Sequence, residues 1–174
     1  MKPWLWIDLE MSGLDEKKDK ILEVAAIITD DTLSPKAEFH RIVHQPQSVL
    51  DGMDKWCTKT HTQSGLVEAV KTGMPLSQVE DEMMSWISLH FRTKDALILA
   101  GNSIGNDRRF VEEYMPKLSS RLHYRVLDVS SWKIVFKDFY GLQYQKKGGH
   151  RALDDILESI NELKFYLTYV KKDK

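Results

Sequence analysis

The N-terminal region contains the segment Trp4-Leu5-Trp6-Ile7-Asp8-Leu9-Glu10, followed by Gly13 and a charged run over 15–20. A second apolar segment covers 21–29, and its centre, Val24-Ala25-Ala26-Ile27-Ile28, is nearly continuous. Aromatic and β-branched residues in short runs favour strands, whereas glycine and charged residues favour the turn between them. A nearly continuous apolar run also indicates burial on both faces. The pattern therefore predicts two strands joined by a turn, with the second strand fully buried.

Later segments alternate between strand-like and helix-like patterns. Strands are predicted over about 37–43, 96–100 and 124–127. Helices are predicted over about 76–91, 129–139 and 152–170, and another ends near 115, where Pro116 stops it. In the first of these helices, Glu80, Asp81 and Glu82 are expected to face away from the apolar stripe. Three early strands followed by alternating strands and helices are typical of an α/β domain whose mixed central sheet is flanked by helices.

Length and composition narrow the class of protein. A chain of 174 residues fits a single domain, 1–174, that can bury a core without disulfides. Hydrophobic residues make up 42% and charged residues 29%, which excludes disordered and fibrous classes. The formal net charge of −1 argues against binding long duplex nucleic acid, which usually meets a strongly basic face. A short substrate with one or two phosphates remains compatible with this charge.

Targeting signals are weak in this sequence. The apolar run over 1–7 is interrupted by Asp8 and Glu10 before a signal-peptide core could form. No later stretch reaches membrane-spanning length. The single cysteine, Cys57, excludes an intramolecular disulfide and suits a reducing compartment. We therefore expect a cytoplasmic protein without a membrane partner.

Asp8 and Glu10 lie two positions apart on the first predicted strand. Because strand side chains alternate between faces, both carboxylates leave the same face of the sheet. A strand end that reaches solvent would explain an arbitrary pair of this kind. Here the apolar neighbours Trp6, Ile7 and Leu9 indicate that the strand is still inside the core.

Two further acids and a histidine follow later in the chain. Asp107 precedes Phe110, Val111 and Tyr114 at helical spacing, which places it on the stripe that faces the core, although an acid near a helix start also favours the helix dipole. His150 follows two glycines, and Asp155 lies in the first turn of the last predicted helix. A histidine beside glycines is usually only exposed. The combination of four acids and a histidine is more informative than any one of them.

Clustered carboxylates repel one another unless cations neutralise them. Oxygen ligands alone suit Mg²⁺ or Mn²⁺ better than zinc. Such a set fits phosphodiester hydrolysis with two divalent cations about 3.5–4 Å apart, and histidine suits the role of general base because its unperturbed pKa of about 6.5 lies near working pH. The predicted metal ligands are therefore Asp8, Glu10, Asp107 and Asp155, and the predicted base is His150.

Three segments resemble the exonuclease motifs of the DEDDh family. They are Asp8-Leu9-Glu10-Met11-Ser12-Gly13-Leu14, Gly101-Asn102-Ser103-Ile104-Gly105-Asn106-Asp107 and His150-x-Ala152-x-x-Asp155. Within this family, nearly the whole chain is similar to the oligoribonucleases. The resemblance implies a ribonuclease H-like fold, a homodimer and removal of 5′-mononucleotides from the 3′ end of short single-stranded RNA, with dinucleotides favoured. It also implies the metal ligands and the base given above.

The same resemblance implies a set of substrate-binding residues. Leu14 and Trp56 would pack around the bases, and His61 would approach the substrate. The 5′ phosphate would be held by Ser103, Arg125, Ser130 and Ser131, the last of which directly precedes Trp132. Tyr124 would reach the active site of the partner subunit. A phosphate held in this way would close the site to longer chains, because a continuing strand would collide with the same residues.

Three alternatives stay open at the level of sequence. The first is an exonuclease of the same family that trims longer single-stranded DNA or RNA. The second is a non-catalytic RNA-binding or scaffolding domain, which the five competent catalytic positions disfavour. The third is an α/β domain whose acids are ordinary surface residues. Activity on RNA of different lengths distinguishes the three.

Overall fold

A mixed five-stranded sheet lies at the centre of the computed structural model, which describes residues 4–145 and 152–170. The strands are β1 (Trp4–Met11), β2 (Ile21–Thr29), β3 (Pro35–Ile42), β4 (Leu97–Gly101) and β5 (Leu122–Asp128). Their order is β3-β2-β1-β4-β5, with β2 antiparallel to β1 and β3. Strands β4 and β5 run parallel to β1. The predicted α/β class with a mixed central sheet is confirmed.

Helices cover the sheet and fill the connections. In the described part of the chain they are α1 (Gln47–Asp51), α2 (Lys55–Gln63), α3 (Leu66–Val70), α4 (Leu76–Ser88), α5 (Gly105–Tyr114), α6 (Pro116–Ser119), α7 (Val129–Tyr140) and α8 (Ala152–Leu167). None of these helices combines the length and the apolar character that crossing a bilayer requires.

The predicted elements agree with the structure except near their ends. Every residue of β2 is buried, as its continuous apolar run predicts. The predicted third strand begins and ends slightly earlier than expected, at Pro35 and Ile42. Helices α4 and α8 end at Ser88 and Leu167, about three residues before the predicted ends. The helices over 47–70 were not predicted, because two of them have only five residues and cannot establish a helical period.

Glu80 departs from the sequence-based expectation. It was predicted to face away from the apolar stripe of α4, but it is one of the buried residues of that helix. Its Oε1 accepts hydrogen bonds from the backbone N–H groups of Lys117 (2.8 Å) and Leu118 (3.1 Å). These two groups lie in the first turn of α6, where helical N–H groups have no partner within the helix. Glu80 is therefore buried because it caps α6.

The two faces of β1 carry different side chains. Leu5, Ile7 and Leu9 belong to the apolar cluster that includes residues of α4 and α5. Trp6, on the opposite face, belongs to the cluster formed with Ile156 and other residues of α8. Because side chains alternate along a strand, Asp8 and Glu10 continue the face of Trp6 towards the N-terminal end of α8. The fold thus directs both acids towards one helix.

Candidate active site

Three carboxylates meet where β1 passes the first turn of α8. Asp8, Glu10 and Asp155 each offer an oxygen, and these oxygens all lie within 4.8 Å of one another. All three side chains are half-buried. Asp155 reaches this position because the neighbouring Ala152 and Ile156 of α8 are buried in the cluster that contains Trp6. Alternation along β1 and the helical period of α8 together build the cluster.

Asp107 lies beside this group rather than within it. Its Oδ1 accepts a hydrogen bond from the backbone N–H of Leu9 at 2.9 Å. The parallel pairing of β1 with β4 ends at Trp6 and Ala100, so Leu9 lies beyond the last partner that β4 provides. The buried carboxylate of Asp107 satisfies that N–H group and joins the start of α5 to β1.

The electrostatics of the site favour a bound cation. Burial, followed by the nearby charge of Asp107, raises the pKa of Asp8 well above its usual value. Burial, followed by Glu23, raises the pKa of Glu10 to about 7. Burial also raises the pKa of Asp107 to about 7, although the hydrogen bond from Leu9 acts in the opposite direction. A divalent cation would relieve this repulsion, and the oxygen donors suit Mg²⁺ or Mn²⁺. The residues present therefore fit the predicted metal.

Glu23 is an acid near the cluster that sequence reasoning did not assign. It pairs with Glu10 across β1 and β2, so the two side chains lie on the same face of the sheet. Glu23 is buried, and its carboxylate forms a hydrogen bond with Nε2 of His40 on β3. The available signal was a charged residue inside the otherwise apolar run over 21–29.

His61 forms part of the wall beside Glu10 and is only 2% exposed. Its Nε2 lies 2.9 Å from the backbone oxygen of Met11, and its Nδ1 lies 3.9 Å from Glu10 Oε2. Because a carbonyl oxygen only accepts hydrogen bonds, Nε2 carries a proton. His61 therefore lies beside Glu10 of the acidic group.

A cavity of about 690 Å³ opens at the carboxylates. Glu10 and Asp155 line it, together with Trp56, Lys59 and His61 of α2. The side chain of Trp56 is 69% exposed, which is unusual for a tryptophan that has only a structural role. Leu14, after β1, is also largely exposed. The cavity lining therefore combines acidic side chains with an exposed aromatic ring and a lysine.

The predicted phosphate-binding serines meet at the ends of β4 and β5. The backbone N–H of Ser103 donates to Ser130 Oγ (2.9 Å) and to Asp128 Oδ1 (3.0 Å), and the two serine hydroxyls lie 3.2 Å apart. Ser103 has a φ of 50°, a conformation that non-glycine residues rarely adopt. These hydrogen bonds hold it there. Ser131, the next residue on α7, is exposed.

Tyr124 and Arg125 lie further along β5. Both side chains are exposed, and the guanidinium of Arg125 lies over the Tyr124 ring, 4.8 Å from its centre. The ring of Tyr124 also stacks on His123. No hydrogen bond between Arg125 and the two serines is present among the described residues. The predicted base, His150, lies outside the described residues.

Comparison with known proteins first identifies the class. The exonuclease family model (RNase_T) matches residues 5–163. Exonuclease I from Methylocaldum szegediense has the same fold, with a TM-score of 0.71 at 17% identity over 97% of this chain and 41% of that one. The chain is therefore a member of the exonuclease family, and the predicted ribonuclease H-like fold is confirmed.

Curated relatives then identify the group within that class. The mitochondrial oligoribonuclease of Bos taurus is 45% identical over 177 residues, which cover 98% of this chain and 74% of that protein. The oligoribonuclease of Marinobacter nauticus is 46% identical over 169 residues, which cover 93% of this chain and 92% of that protein. The chain belongs to the oligoribonuclease family, as the resemblance of nearly the whole chain predicted.

Proposed function

We propose that this protein is a 3′-to-5′ exoribonuclease that hydrolyses short RNA oligomers, dinucleotides above all, to 5′-mononucleotides. The observation that carries the proposal is the group formed by Asp8, Glu10 and Asp155, because Glu10 and Asp155 of this group line a cavity that the exposed Trp56 also lines. The similarity to oligoribonucleases at about 45% identity supports the same activity. Phosphodiester hydrolysis is the reaction for which such a set of acids is suited.

Asp8, Glu10, Asp107 and Asp155 would hold two divalent cations, Mg²⁺ or Mn²⁺. Bound cations would stabilise the charge on the attacking and leaving oxygens of the phosphodiester. Asp107 lies next to the group of three and, through its hydrogen bond with Leu9, also fixes the position of β1. The oxygen donors of this group and the raised pKa values of Asp8 and Glu10 support the proposal that it holds divalent cations.

His150 is proposed as the general base, which would accept a proton from the attacking water at a ring nitrogen. Histidine suits this task because its unperturbed pKa lies near working pH. Glycines at 148 and 149 precede it, and Asp155 follows five positions later in the chain. In His150→Ala the metal ligands would remain, so RNA binding would persist while hydrolysis is lost.

Substrate length would be read by two groups of residues at opposite ends of the dinucleotide. Leu14 and Trp56 would contact the bases, because exposed apolar side chains can stack on any base without sequence preference. His61 would contribute to the wall beside the acids. The 5′ phosphate would bind at Ser103, Arg125, Ser130 and Ser131. A guanidinium and small hydroxyls have donors that suit a terminal phosphate, and the same residues would obstruct a longer strand.

A homodimer is proposed because β5 and α7, which follow one another in the chain, both expose apolar side chains. Strand β5 is an edge strand, and Tyr124 and Val126 on it are exposed. Helix α7 follows directly and exposes Ile134, Val135 and Phe139, the last of them at 80%. Apolar surface of this kind is typical of interfaces. In such a dimer, Tyr124 would reach the site of the partner, and sedimentation as a monomer at micromolar protein would contradict it.

Two further expectations belong with this proposal. A cytoplasmic or otherwise reducing location is consistent with the single, buried Cys57. A single domain over 1–174 is consistent with the family match over 5–163.

The test is a time course with end-labelled RNA of two, three, seven and twenty nucleotides, with Mn²⁺ or with EDTA. We expect rapid, metal-dependent loss of the dinucleotide, slow loss of the longest RNA and no activity for His150→Ala. Equal rates at every length would favour an exonuclease that trims longer single strands. No turnover of any RNA by the wild type would favour a non-catalytic binding domain.

A further inference from the structure

A directed series of hydrogen bonds joins the two serines of the phosphate pocket to the helix that carries Asp155. Ser103 N–H donates to Ser130 Oγ (2.9 Å), and the Ser130 hydroxyl donates to Asn102 Oδ1 (3.2 Å). Asn102 Nδ2 donates to Ser159 Oγ on α8 (2.8 Å). The Ser159 hydroxyl donates to the backbone oxygen of Asp155 (2.8 Å). Every step runs from donor to acceptor in the same direction.

The orientation of Asn102 is fixed at both ends of its amide. Its oxygen accepts from Ser130, and its nitrogen donates to Ser159 and also to Glu162 Oε2 at 3.1 Å. Glu162 is 1% exposed, and its other oxygen accepts from the Tyr166 hydroxyl at 3.0 Å. Because a flipped amide would place Asn102 Oδ1 against the carboxylate oxygen of Glu162, acceptor against acceptor, the observed orientation is the one that satisfies these partners. The side chain therefore behaves as a rigid bridge.

Asn102 contacts α8 at Ser159, which is hydrogen-bonded to the backbone of Asp155. Ser159 lies four residues after Asp155, so its hydroxyl reaches the carbonyl oxygen of Asp155 within the first turns of α8. Hydrogen bonds of this kind bend a helix slightly and alter the direction of its first turn. That turn carries the carboxylate that meets Asp8 and Glu10. A change at Asn102 would therefore alter the position of Asp155.

The other end of the bridge is also sensitive to a ligand. The backbone of Ser103 is held at a φ of 50° by its bonds to Ser130 and Asp128. Backbone conformations of this kind persist only where surrounding contacts maintain them. A phosphate that accepts a hydrogen bond from either serine hydroxyl would change the strength of the hydrogen bonds that join Ser103 and Ser130 to Asn102.

We propose that Asn102 and Ser159 are positioning residues that couple occupation of the 5′-phosphate pocket to the placement of Asp155. The inference rests on the proposed function, since it assumes that Ser103 and Ser130 receive the 5′ phosphate. A correct 5′ end then accelerates hydrolysis as well as binding. An oligomer whose 5′ phosphate does not reach the pocket is cleaved more slowly because Asp155 is less well placed.

Ser159→Ala is the variant that tests the coupling. It removes one oxygen from a buried position on α8 and leaves every proposed substrate contact in place. Two substrates are compared: a diadenylate with a 5′ phosphate and the same diadenylate with a 5′ hydroxyl. For the phosphorylated substrate, we expect kcat to fall about tenfold, the scale seen when a partner that orients a metal ligand is lost, with little change in KM. For the hydroxyl-terminated substrate, kcat should change much less.

Two matched variants separate coupling from general loosening of α8. Ser159→Thr keeps the hydroxyl and should keep the effect of the 5′ phosphate on kcat, because threonine can donate to the same backbone oxygen of Asp155. Ile160→Val shortens a neighbouring buried side chain of α8 that takes no part in the hydrogen bonds. It should leave the ratio of the two kcat values at the wild-type level. Thermal unfolding establishes that each variant is folded before its kinetics are compared.

A second readout needs neither metal nor turnover. In EDTA, amide resonances of Asp155 and Ile156 are followed while each diadenylate is added to the metal-free protein. We expect the phosphorylated ligand to shift these resonances more than the hydroxyl-terminated one in the wild type. In Ser159→Ala the two ligands should give the same shifts.

The outcomes distinguish this inference from the proposed function. If wild-type protein hydrolyses the diadenylate with a 5′-phosphate effect on kcat, and Ser159→Ala keeps that effect, the coupling is refuted while the proposed function stands. Equal losses on both substrates would likewise refute it and leave a purely structural role for Ser159. A wild type without any 5′-phosphate effect would refute the phosphate pocket itself.

Discussion

The acidic cluster at the start of α8 and the single acid Glu162 later in the same helix differ in the partners of their carboxylates. At the start of the helix, Asp8, Glu10 and Asp155 crowd together with raised pKa values for the two β1 acids. Two turns later, Glu162 is more deeply buried, yet each of its oxygens accepts a hydrogen bond. Burial alone therefore does not identify a functional acid.

The comparison of the acidic cluster with Glu162 indicates which carboxylates are suited to bind a ligand. Glu162 has donors from Asn102 and Tyr166, so its charge is met within the fold. Asp8 and Glu10 lie close to other acids that raise their pKa values, and a fold that keeps such repulsion has a reason beyond stability. Glu23 is intermediate, because it adds charge beside Glu10 but has His40 as a partner. Substitutions in the acidic cluster and around Glu162 should therefore have different effects on activity and stability.

The largest effect is expected from Asp8→Asn. Loss of a charged ligand should lower kcat on a dinucleotide by about 10³-fold or more, the scale of removing a group that stabilises transition-state charge. The metal-free protein should nevertheless become more stable, because burial and the neighbouring acids disfavour the charge that the substitution removes. Turnover and urea unfolding in EDTA measure the two effects.

The control for this variant is Asp81→Asn, which removes an acid from the exposed surface of α4. It should leave both turnover and stability near the wild-type values. If Asp8→Asn destabilised the metal-free protein instead, its carboxylate would be a structural group like that of Glu162.

Glu162→Ala should have the opposite character. The substitution leaves the Tyr166 hydroxyl without its acceptor and opens a cavity, so the free energy of unfolding should fall by about 3 kcal/mol. Glu162→Gln, which retains the shape and one oxygen, should cost less than about 1 kcal/mol. Urea unfolding of the three proteins provides the measurement. Equal stability of the alanine and glutamine variants would show that the hydrogen bonds contribute little.

Stability in the absence of metal should depend on pH with a defined sign. The pKa values of Glu10 and Asp107 are raised to about 7 in the folded chain, and that of Asp8 is also raised. Between their usual values and about pH 7, the folded state therefore binds more protons than the unfolded state. Stability should fall as pH rises through this window and level off above it.

Added Mn²⁺ should reverse that trend, because it binds the ionised acids. At a metal concentration about 100 times Kd, it should stabilise the fold by about 2.7 kcal/mol. The rise in Tm should be larger at about pH 8 than at about pH 5, where protons compete for the same oxygens. A rise in Tm that is equal at both pH values, or equal in Asp8→Asn, would indicate binding elsewhere.

A smaller effect than that of Glu162→Ala is expected from Tyr166→Phe. It removes one hydrogen bond to Glu162 but keeps the ring, which stacks on Phe136 at 4.9 Å. The cost should be about 1 kcal/mol, because Asn102 still donates to the other oxygen of Glu162. Thermal unfolding with EDTA measures it. A loss as large as that of Glu162→Ala would place most of the energy in this single bond.

Local pattern was sufficient for the elements that carry the acids. Alternation along β1 predicted that Asp8 and Glu10 share a face, and the stripe of Phe110 and Val111 predicted that Asp107 faces the core. In the structure Asp8 and Glu10 belong to one group of acids, and Asp107 is buried. The position of α8 over β1 could be inferred only through resemblance to a known family, because no local feature specifies which helix covers which strand.

Hydrogen bonds between residues far apart in the chain could not be predicted from the sequence. Asn102 was visible within a motif, but its bonds join residues 57 and 60 positions away along the chain. Glu80 was assigned to the outer face of its helix, because its role depends on the start of α6, about 37 residues later. In both cases a polar residue is buried for the sake of a partner that no periodicity reveals.

The most direct test of the metal site is a calorimetric titration of the metal-free protein with Mn²⁺, beside Asp8→Asn and Asp81→Asn. We expect two ions per chain for the wild type and Asp81→Asn, loss of tight binding in Asp8→Asn, and dinucleotide turnover that returns as the site fills. Identical titrations of all three proteins, or full turnover in EDTA, would contradict the assignment of these acids to metal-dependent hydrolysis.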